Sequence, residues 1–337
     1  MAVSTAPTKA SQRPQKVWKS PTEGQGRLAA MLVAPTMLVL LIVIGYPILA
    51  GIRQSLFFQS QQVDEGGFIV EGDKFVGVDN YTAAFSGDTA KAFWNAFYNT
   101  TFFTVVTTAL EVVLGVAMAL IMNKAFTGRG VVRASILVPW AIPTVVSALL
   151  WRWIFDANGV ANNVLGTQIL WSTDGWQAKA AVIIADTWKT APFIGLLVLA
   201  GLQVIPAEVY EAARIDGANA WKQFLHITLP LVRPALAIAV LFRMLDVLRM
   251  FDLPYVLIGR GKPSVETLSI LAFLQTDNAR FGPAAAYAVL LFVYLSIVAY
   301  AFVKLVGADL LGEARAKSKK PKGQRRIGRT VARGDTP

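Results

Sequence analysis

The sequence contains no cysteine and a single histidine, His226. The first absence excludes a disulfide framework, a thiolate metal site and a cysteine nucleophile. The second removes the zinc patterns that need two or three imidazoles, and most imidazole-based acid–base schemes. Nor does Gly-x-x-x-x-Gly-Lys-Ser/Thr occur anywhere, so the chain has no phosphate-cradling loop for hydrolysing ATP. Charge is scarce as well: 16% of the 337 residues are Asp, Glu, Lys or Arg, against roughly 25% in soluble domains. Apolar residues take the place of charge, at 55% of the chain, and the mean hydropathy is +0.50. The charge that remains leans one way, with 32 Lys and Arg against 21 Asp and Glu and a net +11. A chain both apolar and basic is either membrane-embedded with basic connections or a nucleic-acid binder with an unusual core.

Long apolar runs decide between these readings. Six stretches are predominantly apolar, at about 28–52, 96–122, 134–155, 180–205, 235–258 and 284–306. Each exceeds the roughly 20 residues that cross a ~30 Å hydrocarbon core at ~1.5 Å per residue. Six such helices in one small soluble domain would leave most of its surface apolar, so nucleic acid is not an expected partner. The first run is too long for a signal-peptide core of about 7–15 residues, carries Pro35 and Pro47, and reads as a retained helix. The expectation is an all-α integral membrane protein with six transmembrane helices over 28–306, between basic tails at 1–27 and 307–337.

Basic residues orient the spans. Segments 1–27, 123–133, 206–234 and 307–337 hold 20 Lys and Arg, and the alternate segments 53–95, 156–178 and 259–283 hold 6. Both termini are therefore expected in the cytoplasm. The C-terminal tail, with Lys317, Lys319, Lys320, Arg325 and Arg326, reads as a disordered anchor beside anionic membrane lipid. Pro139 and Pro143 in the third run, Pro192 and Gly195 in the fourth and Pro254 in the fifth suit helices that bend around a pathway. Trp94, Trp151, Trp153, Trp171 and Trp176 cluster toward the external boundary as an interfacial belt.

The segment 206–234, PAEVYEAARIDGANAWKQFLHITLPLVRP, is too regular for a connector. Pro206 suits a helix's first position and Glu208 its first turn. Val209, Ala212 and Ala213 form a small-residue face, and Gly217 is placed to end the helix in a left-handed conformation. A second short helix, Ala218 to His226, is expected to stop at Pro230. Small side chains permit close approach of a partner surface, with Glu211, Arg214 and Asp216 at its edge.

Glu211-Ala212-Ala213, Gly217 and Ile227-x-Leu229-Pro230, at this spacing between two spans, resemble the EAA loop of permeases in binding-protein-dependent ABC importers. The likeness covers roughly 28–306. It implies the type I importer permease (MetI-like) fold and a bacterial plasma-membrane location. It also implies that Glu211, Ala212, Ala213, Arg214, Asp216 and Gly217 dock a cytoplasmic ATPase rather than catalyse. No cofactor or metal is then expected on this chain, ATP and Mg being used by the ATPase. The implied partners are a second homologous permease, an ABC ATPase dimer and an extracytoplasmic sugar-binding protein. Pro139-Trp140-Ala141-Ile142-Pro143, Trp151-x-Trp153, Gly159-x-x-Asn162, Asp186-x-Trp188-Lys189, Gly201-Leu202 and Arg249-x-Phe251-Asp252 are similar to the carbohydrate-uptake branch. That branch imports disaccharides, oligosaccharides or glycerol phosphate, and a trehalose- or maltose-type sugar is the expected substrate. One departure stands out: where the family shows T-x-G-G-P, this chain reads Ile258-Gly259-Arg260-Gly261-Lys262-Pro263.

Ionisable residues inside spans are costly and face a pathway or a partner. They include Glu111, Arg152, Asp186 and Lys189, the last two read as an internal pair, and the set Arg243, Asp246, Arg249 and Asp252. On one continuous helix, steps of three turn by about −60°, so this set cannot line a single wall. One reading is a self-neutralising ladder. The other takes Asp246, Arg249, Phe251 and Tyr255 as sugar contacts, with Asp246 about 16 Å along the fifth span, near the midplane where transport sites sit. An intramembrane enzyme lacks its nucleophile and base. A secondary transporter or channel working without an ATPase is the alternative, and it lacks the internal repeat such proteins commonly show.

Overall fold

The computed structural model describes the backbone of residues 22–63 and 69–318. Most of both basic tails, including Lys319, Lys320, Arg325 and Arg326, lies outside the described residues. The chain falls into two compact units, Met1–Ala50 and Gly51–Pro337. The first holds helix α1 (Thr22–Leu40), a single π turn (Leu41–Gly45) and the first half of α2 (Tyr46–Ser55), and its large apolar side chains from Leu28 to Leu49 are exposed.

The second unit opens with a feature absent from the sequence reading. Strands β1 (Phe57–Val63) and β2 (Ile69–Phe75) pair antiparallel from Phe57↔Phe75 to Val63↔Ile69. The fold is therefore mostly helical rather than all-helical. The hairpin escaped notice because Gln59, Ser60, Gln61 and Gln62 carry no apolar alternation. Helices α3 (Asp79–Ala84) and α4 (Gly87–Asn123) follow, then α5 (Arg129–Ala141), α6 (Thr144–Ile154), α7 (Val160–Leu165) and α8 (Trp176–Leu202). Next come α9 (Ala207–Ile215), α10 (Ala220–Gln223), a π segment (Phe224–Thr228) and α11 (Leu229–Leu248). Helices α12 (Asp252–Leu257), α13 (Leu268–Asp277) and α14 (Phe281–Ser318) complete the unit.

Among the described residues, five helical stretches are long and apolar enough to cross a membrane: Leu28–Ser55, Gly87–Asn123, Trp176–Leu202, Ala220–Leu248 and Phe281–Val306. A sixth arises if α5 and α6, bent by 97° at their junction, count as one. Pro143 causes that bend: it biases Ile142 to an extended ψ of 134° and offers no N–H to the preceding turn. α14 stays helical to Ser318, where the sequence reading ends the span at 306 and begins a disordered tail.

The centre of the unit is α4 against α8. Gly115 and Gly195 face one another there, and a Cβ on Gly115 would meet Ile194 Cβ at 2.8 Å and the Ala191 carbonyl at 2.9 Å. Such close approach of backbones supplies the packing that apolar solvent cannot drive. On the same face of α4, Thr100, Thr104 and Thr107 return their hydroxyls to the carbonyls of Ala96, Thr100 and Phe103 at 2.7–2.8 Å. Part of their polarity is thereby spent locally, and the Thr100 hydroxyl also accepts from Leu268 N–H at 3.0 Å.

Two expectations about prolines and helices are corrected. Pro230 does not stop a helix; it sits in the first turn of α11, directly after the π segment, where a missing N–H is best tolerated. The fifth run is not one helix, because α11 ends at Leu248 and α12 begins at Asp252. Pro254 cannot donate to the Met250 carbonyl, which instead accepts a 2.8 Å hydrogen bond from the buried Thr267 hydroxyl. The same hydroxyl oxygen caps α13 by accepting from Ile270 N–H at 3.3 Å.

Of the tryptophans read as a belt, Trp171 is a core residue. It packs at 4.7 Å on Phe155 and donates from its indole to Asn162 at 2.9 Å. Trp151 likewise packs on Phe155 and Trp188.

Candidate functional site: a charged cavity and a protruding helix

Two apolar clusters line α4, α8 and α11. One surrounds Phe103, Val182 and Val247, the other Met122, Ile194 and Val232. Between them lies a polar layer. Arg243 of α11, 3% exposed, is its hub. Its Nε donates to Glu111 Oε2 at 2.5 Å, its Nη1 to Asp246 Oδ2 at 2.7 Å and its Nη2 to Asp186 Oδ2. Glu111, fully buried on α4, also accepts from the Thr190 hydroxyl at 2.5 Å. One guanidinium thus ties three helices by charge-assisted bonds, which is how buried charge is tolerated at all.

The layer opens into a cavity of about 390 Å³ whose wall includes Trp140, Asp186, Lys189, Asp246, Arg249 and Phe251. A second hollow of about 270 Å³ continues past Trp140, Phe193 and Phe242. Asp186 pairs with Arg243, not with Lys189 as the sequence spacing suggests. The Lys189 side chain is in the cavity wall, 8% exposed, and none of the hydrogen bonds or ion pairs among the described residues involves it. Its three N–H donors therefore face the cavity without a bonded partner among the described residues.

Of the residues singled out as sugar contacts, Asp246, Arg249 and Phe251 line the cavity together. The break after Leu248 brings this about, since it frees Arg249 and Phe251 from the angular restriction of a continuous helix. Arg249 reaches Asp246 at 3.5 Å, and both are more than half exposed. Tyr255 stands behind the wall. It stacks on Phe251 at 5.0 Å, and its hydroxyl accepts from Arg260 Nε at 2.6 Å. Sequence reasoning left out Trp140, Lys189, Arg243 and Glu111 as a set. Each carries a readable signal, a charge or a tryptophan beside a span proline, but nothing in linear spacing joins them.

At the far end of α8 is the 206–228 segment. α9 ends in a Schellman turn: Ala218 N–H donates to Ala213 O at 2.9 Å and Gly217 N–H to Arg214 O at 3.1 Å. Gly217 carries the required φ of +78°. Asn219 then caps α10, accepting from Lys222 N–H at 2.9 Å. α9 buries only Tyr210 and Ala213 in part, the Tyr210 hydroxyl meeting Thr228 at 3.2 Å. Glu211, Ala212, Arg214, Asp216 and Gly217 are all exposed, and Ile215 is 87% exposed.

At the opposite end, the connection from α12 to α13 is pinned in place. Asn95 and Asn99 donate to the Pro263 carbonyl at 2.6 and 2.7 Å. Asp174 accepts from Ser264 N–H at 2.9 Å, and hydrogen bonding to Ser264 lowers its pKa. Arg260, the departure noted in this connection, is committed internally. It forks onto Asp277 at 2.7 and 3.3 Å and lies 5.6 Å from the Tyr255 ring centre.

Residues 111–311 match the family described as "Binding-protein-dependent transport system inner membrane component". The chain is 38% identical over 294 residues to the trehalose/maltose transport system permease protein MalF of Thermococcus litoralis, covering 83% of this chain and 94% of that one. It is 36% identical over 292 residues to the trehalose transport system permease protein SugA of Mycobacterium tuberculosis, covering 85% and 91%. Among solved structures, a chain of a bacterial ABC transporter that imports the acidic polysaccharide alginate superposes with a TM-score of 0.70. That match has 22% identity and covers 85% of this chain and 96% of the other.

Proposed function

The chain belongs to the inner membrane components of binding-protein-dependent transport systems, in their carbohydrate-uptake branch, and from that membership we propose that it forms half of the translocation pathway of an ATP-driven disaccharide importer. It is a multi-pass protein of the bacterial plasma membrane and a transport subunit rather than an enzyme. The other half of the pathway is a second, homologous permease. An extracytoplasmic binding protein delivers the sugar, and a separate ABC ATPase dimer uses ATP and Mg. This chain itself binds neither cofactor nor metal. Its termini and the 206–234 segment face the cytoplasm, as the distribution of 20 basic residues against 6 supports.

The observation that carries the coupling role is α9, a capped helix tethered to its own unit through Tyr210 and Ala213 and exposed along the rest of its surface. A helix so presented can fit a cleft on the ATPase and transmit its closure through α8 and α11 to the cavity. Gly217→Asp places a side chain at a φ of +78° that costs about 1 kcal/mol or more outside glycine, and Glu211→Lys reverses an exposed charge. Each is expected to abolish copurification with the ATPase, or sugar-coupled ATP hydrolysis, while membrane insertion continues. Fully coupled ATPase activity in both variants would overturn the assignment.

The sugar is of the trehalose or maltose type, which the names of the relatives support. The cavity supports it independently. Carboxylate acceptors (Asp246), donors (Arg249, Lys189) and aromatic faces (Phe251, Trp140) stand around a volume of about 390 Å³. That lies in the ~300–1,000 Å³ range of small-molecule sites. Asp246→Asn and Phe251→Ala are expected to reduce uptake about tenfold or more, a loss of ~1.4 kcal/mol or more, with ATPase association intact. Uptake at the normal rate by both would sink the placement.

A further inference from the structure

Glu111 does not reach the cavity, yet it is the most deeply buried member of the charged layer, at 0% exposure. Its contacts are specific. One carboxylate oxygen takes Arg243 Nε and the other the Thr190 hydroxyl, both at 2.5 Å. Arg243 has its remaining two nitrogens on Asp186 and Asp246, and these two carboxylates are in the cavity wall. The guanidinium is planar and its fork is rigid, so the atom that holds Nε sets the plane in which both outer nitrogens point. Glu111 therefore helps to fix the plane of the guanidinium that holds Asp186 and Asp246.

Charge points the same way. The wall is balanced, with Asp186, Asp246 and Asp252 opposite Lys189, Arg243 and Arg249. Glu111, directly behind it, tips the whole toward negative. When Glu111 is ionised, as its contact with Arg243 Nε favours, its charge acts over the cavity with little screening.

We propose that Glu111 is a positioning residue of the transport site. Acting through Arg243, it orients the two cavity carboxylates as acceptors for hydroxyl groups, and by its charge it biases the cavity toward neutral, polyhydroxylated ligands and against anionic ones. This rests on the cavity being the sugar pathway. It differs from a packing role, because packing would not distinguish ligands by charge.

The test uses the assembled importer, both permeases with the ATPase, in nanodiscs and trapped with ATP and vanadate. Omitting the binding protein removes that protein's own selectivity. The probes are trehalose and the trehalose derivative in which one primary alcohol is oxidised to a carboxylate. Glu111→Gln keeps the shape and removes the charge. It is expected to weaken trehalose binding and to shift the trehalose-to-carboxylate affinity ratio toward the carboxylate by about tenfold, the effect of one unit charge across roughly 12 Å at an effective dielectric near 20. Glu111→Asp keeps the charge but shortens the reach to Arg243. It should hold the ratio while weakening trehalose several-fold, and it carries the test if the glutamine variant fails to copurify with the ATPase. An unchanged ratio in Glu111→Gln would overturn the inference, as would unchanged trehalose affinity in Glu111→Asp. Absence of trehalose binding to the wild-type importer would instead overturn the reading of the cavity as the sugar pathway, and this inference with it.

Discussion

Single residues here solve accounting problems created by their neighbours. Thr267 serves two elements, donating to the buried Met250 O ahead of α12 and capping α13 at once. Thr267→Val keeps the shape and removes both bonds. It is expected to cost about 1–3 kcal/mol, the penalty for leaving a buried carbonyl and a helix start unsatisfied. Thermal unfolding of the purified importer should show a lowered midpoint, and an unchanged midpoint would mean another donor has taken the carbonyl. Arg260 shows the same economy. By pairing with Asp277 and Tyr255 it turns an unusual cation into an internal tie. Lys189 is the counter-example, a buried side chain in the cavity wall with no hydrogen bond or ion pair among the described residues.

At the scale of elements, the breaks carry more information than the helices. Proline positions were legible in the sequence, but their consequences were not uniform. Pro143 bends α5 against α6 by 97°, Pro192 is absorbed within α8, and Pro230 sits where the π segment passes into α11. The difference lies in what supplies the missing hydrogen bond, which is a through-space matter. The α4–α8 crossing is the most demanding contact, because Gly115 abuts both Ile194 and a backbone carbonyl. Gly115→Val is expected to destabilise the assembled importer by about 1–3 kcal/mol or more, as overpacking does. Retained stability would require α8 to shift, which a changed sugar affinity would report. α9 differs in kind: its Gly217 turn was foreseen from the spacing after Ala213, because a left-handed helix end is a local event that glycine alone nearly specifies.

For the whole molecule, the charged layer between two apolar clusters is the decisive arrangement. Arg243→Met would leave three carboxylates without their shared cation, a loss on the order of 3–5 kcal/mol for breaking a buried ion pair. It is expected to abolish accumulation of the folded subunit, measured as copurification with the ATPase from membranes; wild-type yield would show the layer to be dispensable for folding. What the sequence by itself determined is whatever depends on neighbours along the chain. Six apolar runs demanded a membrane, and the 206–234 spacing marked the segment proposed to couple to the ATPase. The absence of cysteine, paired histidines and a phosphate loop removed thiolate, multi-imidazole metal and P-loop chemistry. What only the tertiary structure decided is which charges meet. Glu111, Asp186 and Arg243 are separated by 57 to 132 positions in pairs with Arg243, and hydropathy and helical period carry no information about partners at such distances. Local spacing named the family resemblance; the rigid fork of one guanidinium, seen only when three helices come together, built the cavity.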